Sequence, residues 1–205
     1  MTYQDTFKRY ELKYLINRHQ KEQLLQAMEG RMALDQYGRT TIMNVYYDTP
    51  DYLLIQRSLE KPTYKEKLRV RSYGTADWGD KVFLELKKKY DGIVYKRRTT
   101  ATQKEATEYL NQNKALSKSD QITEEINYFK SFYQKLIPAM VISYEREAYV
   151  DVSGSDLRIT LDENILWRET DLNLKEKPYG ETLLREDQTL VEIKISSAMP
   201  LWLAH

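Results

Sequence analysis

Tyr64-Lys65-Glu66-Lys67-Leu68-Arg69-Val70-Arg71-Ser72-Tyr73 places a cation at every second position. In a strand, residues i and i+2 share a face, so Lys65, Lys67, Arg69 and Arg71 fall on one side and Leu68 and Val70 on the other. An ordinary antiparallel sheet with one solvated face has the same period, so this segment alone does not decide its use. Three more segments repeat the design: Glu11-Leu12-Lys13, Glu85-Leu86-Lys87 and Glu192-Ile193-Lys194. Lys96, Arg98, Arg146 and Arg158 also sit in strand candidates. The accompanying acids are few and recur in the same Glu-x-Lys positions, whereas a merely solvated face would vary with Thr, Ser and Gln.

The chain around these segments reads as alternating strands and helices. Strands are predicted at 7–16, 39–48, 64–73, 81–89, 92–100, 140–150, 156–162, 164–168 and 189–195. Asn17 suits the N-cap of a helix ending at Gly30, and further helices are expected at 53–59, 102–112 and 121–136, the last stopped by Pro138. Asp91-Gly92 marks a turn, and the polar stretch 169–188 reads as loop. Leu86, Val191 and Ile193 need cover, which the amphipathic helices can supply. The charged face is then left for water or for an enclosed lumen. The fold expected is α+β: a closed antiparallel eight-stranded β-tunnel with helices packed outside, formed by one domain over 1–205.

Composition limits what such a lumen can hold. With 32 Lys and Arg against 31 Asp and Glu, the net charge is +1, which disfavours a generally basic nucleic-acid surface. An anion site must therefore come from local concentration of cations. Apolar content of 41% supports a real core, and the absence of cysteine excludes thiolate catalysis and disulfides. His19 and His205 lie far apart, so no histidine metal site or triad is expected. No Gly-x-x-x-x-Gly-Lys occurs, so a nucleotide would have to bind through the lumen. No run reaches the length of a membrane span, and a cytoplasmic protein is expected. A cation-lined lumen calls for a polyphosphate guest, because arginine grips phosphate oxygens through paired hydrogen bonds. Glutamates fit such a lumen once Mg²⁺ or Mn²⁺ is added, since both take carboxylate, phosphate and water oxygens.

Seven segments in order carry a family resemblance: Tyr10-Glu-Leu-Lys-Tyr14, Val45-Tyr-Tyr-Asp-Thr49, Tyr64 to Gly74, Phe83-Leu-Glu-Leu-Lys87, Tyr95-Lys-Arg-Arg98, Ser143 to Tyr149 and Leu190-Val-Glu-Ile-Lys194. Together they resemble the VTC domain, the catalytic part of the vacuolar transporter chaperone polyphosphate polymerases within the triphosphate tunnel metalloenzymes. The resemblance implies transfer of the ATP γ-phosphoryl group to a growing inorganic polyphosphate chain. It also implies that Arg69, Arg71, Lys87 and Arg146 hold the reacting phosphates, and that Lys13, Lys96 and Arg158 bind the rest. Glu192 would hold Mn²⁺ or Mg²⁺. Lys67, Arg98 and Lys194 as phosphate ligands, with Glu11 and Glu85, rest on strand phase as much as on motif. Family members continue past Pro200-Leu-Trp202 to a Phe-Ser-Lys-Tyr motif, so the resemblance implies an end that is either truncated or divergent, and a membrane-protein partner is a further expectation.

Three other functions compete. A hydrolase of the same architecture would cleave triphosphate or polyphosphate with water as acceptor. A non-catalytic polyphosphate-binding module would gain nothing from the carboxylate of Glu192. Nucleic-acid binding through basic and aromatic strands is opposed by the near-zero net charge.

Overall fold

The computed structural model describes residues 10–91, 93–196 and 198–204. Ten strands and five helices follow one another: β1 (Tyr10–Asn17), α1 (Arg18–Met28), β2 (Met32–Leu34), β3 (Thr40–Asp48), α2 (Leu53–Leu59), β4 (Tyr64–Tyr73), β5 (Lys81–Tyr90), β6 (Ile93–Thr102), α3 (Gln103–Gln112), α4 (Gln121–Tyr133), β7 (Ile137–Asp151), β8 (Arg158–Arg168), β9 (Glu181–Thr182), β10 (Gln188–Ile195) and α5 (Leu201–Ala204). The strands hydrogen-bond in the order β1-β10-β8-β7-β3-β4-β5-β6, with β2 on β7 and β9 on β8. Among the described residues no ladder joins β6 back to β1, so the sheet is open. The closed eight-stranded tunnel is therefore corrected to a ten-stranded, mostly antiparallel sheet. Side-chain alternation assigns faces to strands but says nothing of which edges meet, and closure depends on tilt and stagger. The two extra strands, β2 and β9, are too short to show a period.

The helix starts follow the sequence closely. The Asn17 side chain accepts from the Gln20 backbone N–H at 2.9 Å, while Gln20 reaches back to the Asn17 N–H at 3.0 Å. Thr102 and Glu105 form the same reciprocal cap on α3, and Asp120 caps α4. In the Val45–Thr49 segment, Asp48 accepts from the backbone N–H groups of Leu54 and Ile55, and Thr49 from that of Leu53. Those two residues hold α2 in place. Pro138 lies inside β7, near its start, and α4 ends at Tyr133. The predicted strands 156–162 and 164–168 are one strand, β8, with Asn164 at a local left-handed turn of the backbone (φ 49°). The predicted residues 7–9 of the first strand, Gly92 of the turn and His205 lie outside the described residues.

The fold divides into two compact units. The larger comprises Ile42–Ser143 and Leu166–Glu181, the smaller the described residues of Met1–Thr41, Tyr144–Ile165 and Thr182–His205. In the larger unit, Val45, Leu68, Val70, Leu84 and Leu86 pack against Leu54, Ala106, Tyr109, Leu110, Ile126 and Phe129 of the helices. In the smaller unit, Ile159, Leu161, Val191, Ile193 and Ile195 pack against Leu24, Leu25 and Met28 of α1 and Trp202 of α5. In both units the apolar strand face lies under helices, as expected for Leu86 and Ile193. Lys67, Arg69, Arg71, Glu85 and Lys87 in the larger unit, and Glu192 and Lys194 in the smaller, are left on the other face, whereas Glu66, Lys88 and Arg97 pair with residues of α4 on the covered side.

Candidate phosphate-binding and metal sites

Strand register assembles the first cluster in the larger unit. Arg69 stands opposite Tyr46 on β3 and Glu85 on β5, and Glu85 stands opposite Arg98 on β6. One step along, Lys67, Lys87 and Lys96 form a row across three strands, and on the other side Arg71 stands between Asn44 and Phe83. These six cations share a strand face with one carboxylate, Glu85. Like charges directly opposite in a sheet are destabilising, and in this row Lys96 is met by Glu85.

Glu85 is 1% exposed and takes most of its partners from neighbouring strands. Arg69 donates Nε and Nη2 to Oε2 at 2.8 and 2.6 Å. Arg98 donates Nε to Oε1 at 2.7 Å and Nη2 to the same oxygen, and the Lys96 ammonium lies 2.8 Å from it. Arg71 Nη1 lies 3.9 Å from Oε2. The Arg71 Nε donates to Asn44 Oδ1 at 2.8 Å, and Asn44 itself donates to the Ile142 carbonyl at 3.0 Å. Arg69 Nη1 donates to the Tyr46 hydroxyl at 3.0 Å, and Arg98 stacks 4.3 Å over the Phe83 ring.

The titrations follow from this packing. Burial alone would raise the Glu85 carboxyl, but Arg69, Arg71 and Lys96 hold it well below the usual carboxylate range. Burial would also raise the Tyr46 phenol, which Arg69, Arg71 and Lys67 instead pull below its ordinary value. For Lys96 burial dominates and, with Arg98 and Arg71 nearby, pushes the ammonium down to about 8 despite Glu85. Above that pH the folded site has lost a charge that the unfolded chain keeps up to 10.5. This residue's contribution to stability therefore rises with pH across that window, while affinity for a polyanion falls. Titration calorimetry with tripolyphosphate near pH 8.5, in buffers of different ionisation enthalpy, is expected to show more proton uptake (or less release from the ligand) for the wild-type protein than for Lys96→Met. Equal proton exchange in the two proteins would contradict the assignment.

The second cluster belongs to the smaller unit. Register places Lys13 opposite Glu192 and Glu192 opposite Thr160, with Glu11, Lys194 and Arg158 in the next row. Glu192, 7% exposed, lies 3.0 Å from the Lys194 ammonium, 3.8 Å from that of Lys13 and 3.9 Å from Arg146 Nη2. Burial would raise its carboxyl, but Lys194 and Lys13 hold it down at about 2. Its folded pKa is depressed, so the stabilisation is complete above the ordinary carboxylate range and lost as pH falls through about 2. Lys194 is itself pushed down, by burial first and by Arg146, with Glu192 opposing. Arg146 grips both oxygens of Asp162 at 2.6 Å and lies 5.0 Å over the Tyr144 ring. Asp162 is thus a clamp for Arg146. Arg158 turns to Asp35, 2.9 Å away, and is half exposed.

Among the described residues no group of three His, Cys, Asp or Glu side chains converges as a ready-made metal centre. The residues around Glu192 still fit a hard divalent ion. Its carboxylate is ionised, and the buried Thr160 hydroxyl opposite it on β8 has no hydrogen-bond partner. One carboxylate and a hydroxyl, completed by phosphate oxygens and water, is the donor set that Mg²⁺ and Mn²⁺ commonly take.

Sequence phase therefore places Lys67, Arg69, Arg71, Lys87, Lys96 and Arg98 on one face of the larger unit, and Lys13, Arg146, Glu192 and Lys194 together in the smaller. It missed Asn44 and Thr160; Tyr46, read from sequence as a packing or base-stacking tyrosine, instead accepts from Arg69, and Asp162, read as a metal ligand or turn cap, instead clamps Arg146. Asn44, a lone amide amid Ile42, Met43 and Val45, was the available signal, but its partner on β4 depends on register.

The VTC domain model matches residues 8–205. The chain belongs to the VTC domain family. Among curated proteins, none matches the sequence. This VTC domain also shares its fold with solved structures. One is a candidate adenylate cyclase from Bacillus halodurans, with TM-score 0.57, 15% identity, and 93% of this chain and 83% of that one covered. Another is a candidate adenylyl cyclase from Hippeastrum with a dominant triphosphatase activity, with TM-score 0.56, 17% identity, and 92% and 79% covered. Among the described residues of the VTC domain, no helix is long and apolar enough to cross a membrane. The expected membrane-protein partner finds no support.

Proposed function

We propose that the chain binds the triphosphate of ATP and transfers its γ-phosphoryl group to inorganic polyphosphate. One observation carries this reading: six cations on one strand face of the larger unit, with Glu85 as the single carboxylate among them. A multiply charged, extended anion neutralises such an array, and Arg guanidinium groups suit phosphate oxygens in pairs. Family membership supports the phosphoryl chemistry.

Phosphoryl transfer needs positioning and charge stabilisation more than a covalent nucleophile. In the larger unit Arg69, Arg71 and Lys87 are proposed to hold reacting phosphates, with Lys67, Lys96 and Arg98 on further oxygens. In the smaller unit Arg146 is proposed for the same catalytic role, with Lys13 and Lys194 as phosphate ligands and Arg158 joining them once it leaves Asp35. Glu192 would hold Mn²⁺ or Mg²⁺, which when bound neutralises charge on the transferring phosphoryl group. Hydrolysis with water as acceptor is the second reading, favoured by the triphosphatase activity of the Hippeastrum protein.

Incubation with ATP and Mn²⁺, followed by gels for polyphosphate and chromatography for ADP, separates the two. Polymer with ADP is the expected result; free phosphate without polymer would leave hydrolysis. A thermal melt offers a direct check on binding. At about 100 times Kd, tripolyphosphate stabilises the native state by about 2.7 kcal/mol. At about 2–4 °C per kcal/mol, a chain of this size should melt about 5–10 °C higher. No shift at millimolar ligand would sink the phosphate-site assignment.

A further inference from the structure

We propose that Glu85 is a positioning residue, the fixed internal counter-ion that sets Arg69, Arg98 and Lys96 in place before any phosphate arrives. The inference rests on the phosphate-binding reading of the larger unit. Its geometric basis is the placement of Glu85 on the middle of three strands. Arg69 reaches it from β4 and Arg98 from β6, each through Nε and Nη2. The two guanidinium groups use different oxygens of the carboxylate, so each plane is tied to one side of it. The Lys96 ammonium completes the Oε1 side.

An anion-binding face gains no attraction from a buried carboxylate. Glu85 repels a phosphate chain and weakens ground-state binding. Its value lies in geometry. Three cations on the two strands that flank β5 repel one another and would splay without a common partner. Both oxygens are saturated by side chains, and the acid is 1% exposed, which leaves little room for an incoming ligand to displace it. Glu85 therefore trades affinity for alignment of donors toward the reacting phosphate. Misplacement of reacting groups by about 1 Å can cost about 10²-fold in rate.

Glu85→Gln separates these effects. Loss of the charge should tighten metal-free tripolyphosphate binding several-fold while kcat falls by about 10²-fold. Lys96 loses its carboxylate in this variant, so the alkaline decline of tripolyphosphate affinity should begin at lower pH than in the wild-type protein. A merely structural acid would leave that limb in place. Glu85→Asp keeps the charge but withdraws it toward β5; kcat should fall without tighter binding, and this variant carries the test if Glu85→Gln does not fold. Wild-type kcat in Glu85→Asp or Glu85→Gln would overturn the proposal. So would weaker binding in Glu85→Gln with an unmoved pH limb. Failure of the unmutated protein to bind tripolyphosphate would instead overturn the phosphate-site reading, and this inference with it.

Discussion

Glu192→Gln should abolish turnover and leave metal-free tripolyphosphate binding intact or stronger. The carboxylate is buried, held at about 2 and therefore ionised at every working pH. Opposite it by register on β8 stands Thr160, whose buried hydroxyl has no hydrogen-bond partner. A bound divalent ion contributes several kcal/mol of charge stabilisation in phosphoryl transfer, and each 1.36 kcal/mol is tenfold in rate. The expected loss is thus about 10²-fold or more. Binding moves the other way, because the variant removes a negative charge next to Lys13, Lys194 and Arg146. Rates at saturating ATP and calorimetry without metal measure the two sides. Full activity in the variant would remove the metal-site assignment, while weakened metal-free binding would mean that Glu192 serves only to hold the three cations.

Arg69→Ala and Arg71→Ala should each weaken ATP and tripolyphosphate binding by about 1–3 kcal/mol, the range for hydrogen bonds to charged groups. That is about 5- to 150-fold in Kd. Arg69→Ala belongs at the upper end, because Glu85 would lose two donors while remaining buried and charged. Glu66→Gln is the control. Its neighbour in sequence, Lys67, lies on the cation face, but Glu66 accepts from the Tyr64 and Tyr133 hydroxyls on the helix-covered side. Its Kd should stay within about twofold of the wild-type value, even if the melting temperature falls with the lost hydrogen bonds. Equal effects at Arg69 and Glu66 would show that the strand faces are misassigned.

Alternation is local physics. Successive side chains of a strand point to opposite faces whatever the strand pairs with. Tyr64–Tyr73 therefore divides Lys67, Arg69 and Arg71 from Leu68 and Val70 before any partner is known. The same rule separates Lys87 from Leu86 and Glu192 from Ile193. Helix starts were equally legible, since the caps at Asn17, Thr102 and Asp120 act within three residues of themselves. Near-neutral net charge against local runs of cations already pointed to a concentrated anion site. What alternation could not supply was partnership. That Glu85 meets Arg69 and Arg98 follows from the β4–β5–β6 register. That Asp162 is spent on Arg146, and that Arg158 reaches Asp35 123 residues away, follows from folding of distant segments. Whether the sheet closes depends on how strand edges meet. Such contacts are long-range and set by stagger, tilt and packing, so only the tertiary structure decided them.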